Sequence, residues 1–268
     1  MHLDSSLPVS TEIIPHFVAY LSLSGKSFST ARTYLAAISA KHKINNMQDP
    51  TNSFLVKKLM LGFSHSAPSK DARFPITFTR LKQLIPCLDL ICNDSSEALL
   101  FKTAFTLAFF GFFRVSELLG QQQSLHRGRA GIQRHNIQLS RDKVVIKLLG
   151  SKTDQQRKGQ SVPLTQVGDA PEVCPIRILL QYLQQRPKSE GLLLIHRNRS
   201  PLTRYQFQAV LKKAAHFLGW PTHGYSSHSF RIGAATTASM NGLPIATIME
   251  KGRWKSGAVK GYLRIDRI

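Results

Sequence analysis

A mainly helical α+β fold carrying a small β-hairpin sheet is the architecture this sequence predicts, and three observations predict it. Apolar residues recur at three- and four-residue intervals through most of the 268-residue chain, the spacing that lines one face of an α-helix. That pattern gives way where KVVIKLLGSKTD and GQSVPL read as two β-like runs around the polar turn DQQRKG. His65 to Pro75, HSAPSKDARFP, is polar, proline-bounded and aperiodic, the composition of a linker. The chain therefore reads as a helical unit over 1–64, a linker over 65–75 and a larger unit over 76–268.

In chain order, Ile13, Phe17 and Leu21 are helically spaced from Thr11, with Pro15 in the first turn where it is tolerated. Ser29 can cap a second helix whose stripe is Ala31, Tyr34, Leu35 and Ile38. Asp49-Pro50 interrupts, and Asn52 or Ser53 starts a third helix with Val56, Leu59, Met60 and Phe63. Beyond the linker, Thr79 can cap RLKQLIPCL, and Ser95 or Ser96 can start a long apolar helix through Phe110. FFRVSELLG follows. Arg114 stands among Phe112, Phe113 and Val115, where burial is costly without an anionic partner, and Glu117 one turn on can supply one. Residues 121–137 have no clear pattern beyond a basic loop. After the two β-like runs, Cys174-Pro175 opens a helix with Ile176, Leu179, Leu180 and Leu183 inward, and LLLIH is a short strand or a helix extension. Phe207, Val210, Leu211, Ala214 and Phe217 line a further helix whose outer face carries Arg204, Lys212 and Lys213. The loop PTHGYSS then leads to the last forty residues.

Composition narrows the function. Lys and Arg number 36 against 15 acids, a net charge of +21, which suits a phosphate polymer through counterion release better than a small metabolite. No amphipathic basic block marks an anionic membrane surface. The most apolar run, ALLFKTAFTLAFFGFF, is broken by Lys102 and too short for a comfortable membrane span. Cys87, Cys92 and Cys174 are odd in number and lack CxxC spacing, so neither a disulfide framework nor a zinc site is expected. With no signal sequence in MHLDSSLPVSTE, an intracellular protein is expected.

The stretch HSFRIGAATTASMNGLPIATIMEKGRWKSGAVKGYLRI carries the chemistry. His228 and Arg231 share one face of a helix. The small run GAATTASMNG lets that helix lie close to a neighbour. Pro244 suits the first turn of the next helix, and Gly252 can end it, delivering Arg253 and Trp254 into a turn before Tyr262. The grouping fits phosphodiester transfer. Guanidinium forks stabilise charge on non-bridging oxygens, a tyrosine hydroxyl can be the nucleophile, and an imidazole can manage its proton.

HSFR, then GRWKS, then a tyrosine resembles the tyrosine recombinases (the phage integrase family), and the WKS…Y spacing looks most like the recombinases of DIRS-type mobile elements. The resemblance implies a small helical core-binding domain over 1–64 and a catalytic domain over 76–268, able to close around duplex DNA as a clamp. It implies a 3′-phosphotyrosyl intermediate formed by Tyr262, with Arg114 and Arg231 on the scissile phosphate. His228 would take the tyrosine proton, or hydrogen-bond the phosphate. Trp254 stands where many relatives have histidine. Glu117 would orient Arg114. Lys152 is the best match to the family's hairpin lysine, with Lys147 and Lys158 as competitors. Arg32, Lys57, Lys58, Arg204 and Lys212 are expected on DNA phosphates. The implied chemistry needs no metal or other cofactor. The implied partners are double-stranded DNA and further copies of the chain, as a tetramer on DNA, in the nucleus of a eukaryote or the cytoplasm of a bacterium. Six residues follow Tyr262, where many relatives carry a further docking helix, and this weighs against the tetramer. A type IB topoisomerase and an inactive DNA-binding descendant are the rival readings.

Overall fold

The computed structural model describes residues 7–66, 72–119, 131–140, 143–148 and 159–267. The chain divides into two compact units, Met1–Asp71 and Ala72–Ile268. Helices α1 (Ile13–Leu23), α2 (Phe28–Ile44) and α3 (Phe54–Ser66) make the first. Their core is Ile14, Val18, Leu35 and Val56, edged by Ile38, Leu59, Met60 and Phe63. The buried stripe of α1 is Ile14, Val18 and Leu21, a shift from the expected Ile13 and Phe17. Three short helices share only a narrow seam, so Ile13 stays exposed while Phe17 packs beside Tyr34 at its edge, ring centroids 6.1 Å apart. His42 is fully buried and satisfied. Its Nε2 accepts from the Val9 amide at 3.0 Å and its Nδ1 lies 2.9 Å from the Ile38 carbonyl, which assigns the proton to Nδ1.

In the second unit, α4 (Phe78–Ile91) and α5 (Ser95–Phe110) are followed by the single turn α6 (Val115–Leu118). Strands β1 (Ile137–Leu139), β2 (Lys143–Leu148) and β3 (Gln160–Thr165) form an antiparallel sheet in that order. Helices α7 (Pro175–Gln185), α8 (Arg204–Phe217), α9 (His228–Met240) and α10 (Ile245–Gly252) complete it. The expected hairpin is β2–β3, with Val144 opposite Leu164 and Ile146 opposite Val162. The added β1 is three residues long, too short to register as an alternation. The LLLIH run makes isolated antiparallel pairings, Gln133 with Leu192 and Ile195 with Pro201. Phe217 and Leu180, expected inward, are exposed.

The caps lie one or two residues earlier than expected. Ser27, Thr77 and Asp94 accept from the amides of Thr30, Arg80 and Glu97, each the third residue of its helix. Helix α5 is buried on almost every side, with α4, α7, α8 and α9 packed around it. Lys102, the charge within its apolar run, pairs with Asp89 of α4 at 2.6 Å. Phe105 meets Phe207 of α8 and Phe230 of α9 at centroid distances of 4.8 and 4.9 Å, so α5 holds the helix that begins at His228.

A strap at the start of the second unit holds α9 from its other side. Phe74 and Ile76 donate backbone N–H groups to the carbonyls of Gly224 and Ser229, and the Phe78 amide donates to Thr237 Oγ1. Gly233 permits the contact, because a Cβ there would lie 1.7 Å from the Ile76 carbonyl oxygen. This is the close approach anticipated from the small run. Gly233→Ala should destabilise the protein by about 1–3 kcal/mol through overpacking against backbone, read as a lower urea midpoint at unchanged slope. An unchanged midpoint would mean that the strap yields freely.

Candidate active site

The site starts where α5 stops. Phe112 takes a left-handed conformation, φ 48, strained for a bulky side chain, and its carbonyl thereby becomes a shared acceptor. Two residues on, the Arg114 amide donates to Glu117 Oε2 at 2.9 Å, and its Nη1 donates to Oε1 at 2.7 Å. Glu117 is buried. Its Oε2 also accepts from Nη2 of Arg253 at 3.1 Å. Arg253 follows α10 in a second left-handed turn, φ 57, and donates to the carbonyls of Gly111 and Phe112, both at 2.9 Å.

Helix α9 contributes Arg231 one turn after His228. The guanidinium is fully buried and donates to the carbonyls of Phe112 and Gly252. Its Cζ stands 4.3 Å from the Trp254 ring centroid and 5.6 Å from that of Tyr262, and the two rings are 4.8 Å apart. Gly252 is needed for this stack, since a Cβ would meet the Trp254 ring at 1.7 Å. Thr236 of α9 donates from Oγ1 to the Tyr262 carbonyl at 3.3 Å and accepts from the Arg264 amide at 3.1 Å. The tyrosine segment is thus seated on the helix that carries Arg231.

Three guanidiniums, those of Arg114, Arg231 and Arg253, gather around one carboxylate. Burial pushes Arg231 down to about 9, and the nearby charges of Arg114 and Arg253 add to the shift. Burial lowers Arg253 as well, against the pull of Glu117. For Glu117 burial acts upward, but Arg253, the Arg114 amide and the Arg114 charge together hold it below the ordinary carboxylate range. A carboxylate with a depressed folded-state pKa contributes stability that is present above its unfolded pKa and lost as pH falls through the folded one. Glu117→Gln should therefore be less stable than wild type at pH 7, by up to about 3–5 kcal/mol for a broken buried pair. The two should converge in urea melts as the pH drops below the carboxylate range. A constant difference across that range would contradict the assignment.

Among the described residues, Arg231 Nε and Trp254 Nε1 are buried donors without a hydrogen-bond acceptor, and the ion pairs of Glu117 go to Arg114 and Arg253. Buried donors and surplus positive charge are what an arriving anion would satisfy.

The structure brings together Arg114, Glu117, Arg231, Trp254 and Tyr262, with His228 half-buried at the start of α9. Lys152 and its competitor Lys158 lie outside the described residues, while Lys147 is exposed on β2. Arg32, Lys57 and Lys58 are exposed on the first unit, and Arg204 and Lys212 on α8. Lys213 is exposed on α8 as well, and makes a bond that its sequence did not announce. It donates to the Ile91 carbonyl at the end of α4, where helix carbonyls lack intrahelical partners. Tyr225 is buried, between Phe74 and Trp220. Arg253 was missed as a site residue. The signal for it was an arginine directly between a helix-ending glycine and a tryptophan, with a lone buried-context glutamate elsewhere to receive it.

No family model matches the chain. It is 26% identical over 270 residues to an integrase/recombinase XerD homolog of Selenomonas ruminantium, covering 95% of this chain and 73% of that protein. Its fold matches the XerH site-specific recombinase bound to its difH substrate, with a TM-score of 0.68 at 17% identity over 97% of this chain and 70% of that one. It also matches the Tn1549 transposon integrase in complex with circular intermediate DNA, with a TM-score of 0.62 at 10% identity over 96% and 81%. The chain is thus similar in sequence to an integrase/recombinase and in fold to a site-specific recombinase and a transposon integrase.

Proposed function

We propose that this protein is a site-specific DNA recombinase that cuts and rejoins strands through a 3′-phosphotyrosyl intermediate on Tyr262. The observation that carries the assignment is the seating of Tyr262 against Arg231 beside a buried arginine cluster with surplus positive charge. Tyr262 Oη attacks the scissile phosphorus and the bond from phosphorus to the 5′ oxygen breaks. His228 takes the phenolic proton, or hydrogen-bonds the phosphate, and Lys152 gives a proton to the departing 5′ oxygen. Arg114 and Arg231 hold the non-bridging oxygens, where fixed donors lower the barrier without reorganising. Trp254 donates its indole N–H, which cannot accept a proton in exchange. Glu117 keeps the Arg114 fork in place. Attack by a 5′-hydroxyl from a partner strand reverses the chemistry and completes exchange, so no external energy source is needed.

Double-stranded DNA is the substrate, and exposed Arg32, Lys57, Lys58, Arg204 and Lys212 would contact its phosphates. The helical first unit is the core-binding domain and the second the catalytic domain. Self-association on DNA, as a tetramer, follows from the need to hold two duplexes during exchange. The WKS…Y spacing and the tryptophan at position 254 favour a recombinase of a DIRS-type mobile element. The protein acts inside the cell, in the nucleus or the bacterial cytoplasm according to its host. No helix among the described residues is long and apolar enough to cross a membrane.

The test is to trap the covalent adduct on a nicked duplex, where the cut fragment diffuses away, and to map the modified residue by mass spectrometry. An adduct on Tyr262 supports the mechanism, and one on another residue relocates the nucleophile. Tight binding with no adduct on any nicked site would favour the inactive descendant. Relaxation of supercoils without exchange between two labelled sites would favour the topoisomerase.

A further inference from the structure

We infer that Arg253 is a positioning residue for strand cleavage, fixing Glu117 and the Phe112 carbonyl so that Arg114 and Arg231 are presented in one geometry. The inference rests on the cleavage reading above and adds a residue that reading leaves out. Arg253 is all but enclosed, its side chain 2% exposed, so it acts through its neighbours. It ties the turn after α10 to the turn after α5, pieces of chain more than a hundred residues apart. Its contacts divide into two sets, one for each of the phosphate-facing arginines.

The first set concerns Arg114. Glu117 Oε1 is occupied by Arg114 Nη1, and Oε2 is shared between the Arg114 amide and Arg253 Nη2. Without Arg253, Oε2 keeps the amide alone, and the carboxylate is free to rotate and carry the Arg114 fork with it. The second set concerns Arg231. The Phe112 carbonyl, turned by its left-handed backbone, accepts from both Arg231 Nη1 and Arg253 Nη2. Arg253 also spans to the Gly111 carbonyl and lies over the Phe113 ring, its Cζ 5.2 Å from the centroid. One planar fork therefore meets three carbonyls (those of Gly111, Phe112 and Lys251), a carboxylate and an aromatic face together. The single nitrogen of a lysine keeps the charge but cannot span them. Burying a third cation beside one carboxylate is a poor way to gain stability alone, and this favours a role in placing the other two.

Arg253→Lys should bind the nicked duplex as wild type does yet form the covalent adduct ~10²-fold more slowly, the scale of one displaced charge-stabilising donor. Two readouts separate positioning from general loosening. A neutral methylphosphonate at the scissile position lacks the charge the arginines stabilise, so the deficit of Arg253→Lys should shrink on that substrate. In addition, Arg253→Lys should cost less in the Arg114→Ala background than in the wild-type one, because the part of its effect that runs through Arg114 is already lost there. Thermal melts establish that the variants are folded, and Arg253→Gln, whose amide can still donate to Phe112, takes the place of the lysine variant if that one unfolds. Wild-type rates in the variant, equal losses on both substrates, or losses that multiply with Arg114→Ala would overturn the inference. Failure of the wild-type protein itself to form an adduct would instead overturn the cleavage reading.

Discussion

Tyr262→Phe is expected to bind duplex DNA with unchanged affinity and to form no covalent adduct on a nicked substrate. The substitution removes one oxygen. It leaves the ring that packs on Trp254 and beneath Arg231, and the backbone carbonyl held by Thr236. Nothing in the described contacts of the residue gives the hydroxyl a structural role, so folding and DNA affinity should be preserved while chemistry is lost. Denaturing gels on the nicked duplex read the adduct directly, and gel shifts on the same duplex read binding. A phenylalanine variant that still forms adducts would place the nucleophile elsewhere.

Arg231→Ala is the second large effect. Loss of one charge-stabilising donor in such a site slows cleavage by ~10²–10³, whereas DNA affinity, spread over many phosphate contacts, should fall only modestly. The variant should also be less stable, because the Gly252 carbonyl loses its guanidinium donor while the Phe112 carbonyl keeps Arg253, at a cost of about 1–3 kcal/mol for the group left unsatisfied. Single-turnover cleavage and urea denaturation measure the two effects separately. Cleavage within tenfold of wild type in a folded Arg231→Ala protein, taken as roughly the factor that 1.4 kcal/mol represents, would remove Arg231 from the phosphate.

How much could be read in advance varied with the range of the forces involved. Helix α5 was legible because its burial is written in an unbroken apolar run, and Lys102 found a partner in Asp89 without changing that reading. The close packing of α9 was legible from its small residues, and the grouping of Arg231, Trp254 and Tyr262 from residue type and order. Left-handed Phe112 was not legible, because nothing local demands it. The conformation persists because two guanidiniums meet its carbonyl, and both come from far along the chain. The same holds for Arg253, whose partners appear only when α5 and α10 end side by side. Lys213 lies on the outer face that the apolar spacing gives it, but its bond to the Ile91 carbonyl was not legible. A helix-surface lysine reads as a solvated charge until another helix terminates within its reach.

The bond between Thr236 and the backbone of Tyr262 has a consequence for how an assembled complex would divide its labour. On the proposed mechanism, a protomer that seats its own tyrosine over its own Arg231 would draw nucleophile and arginine from one chain. The initial cut would then be an affair of one subunit, with assembly governing its timing. Any device that silences one half of a complex would have to disturb that seat, since withholding a partner would leave the cutting machinery whole.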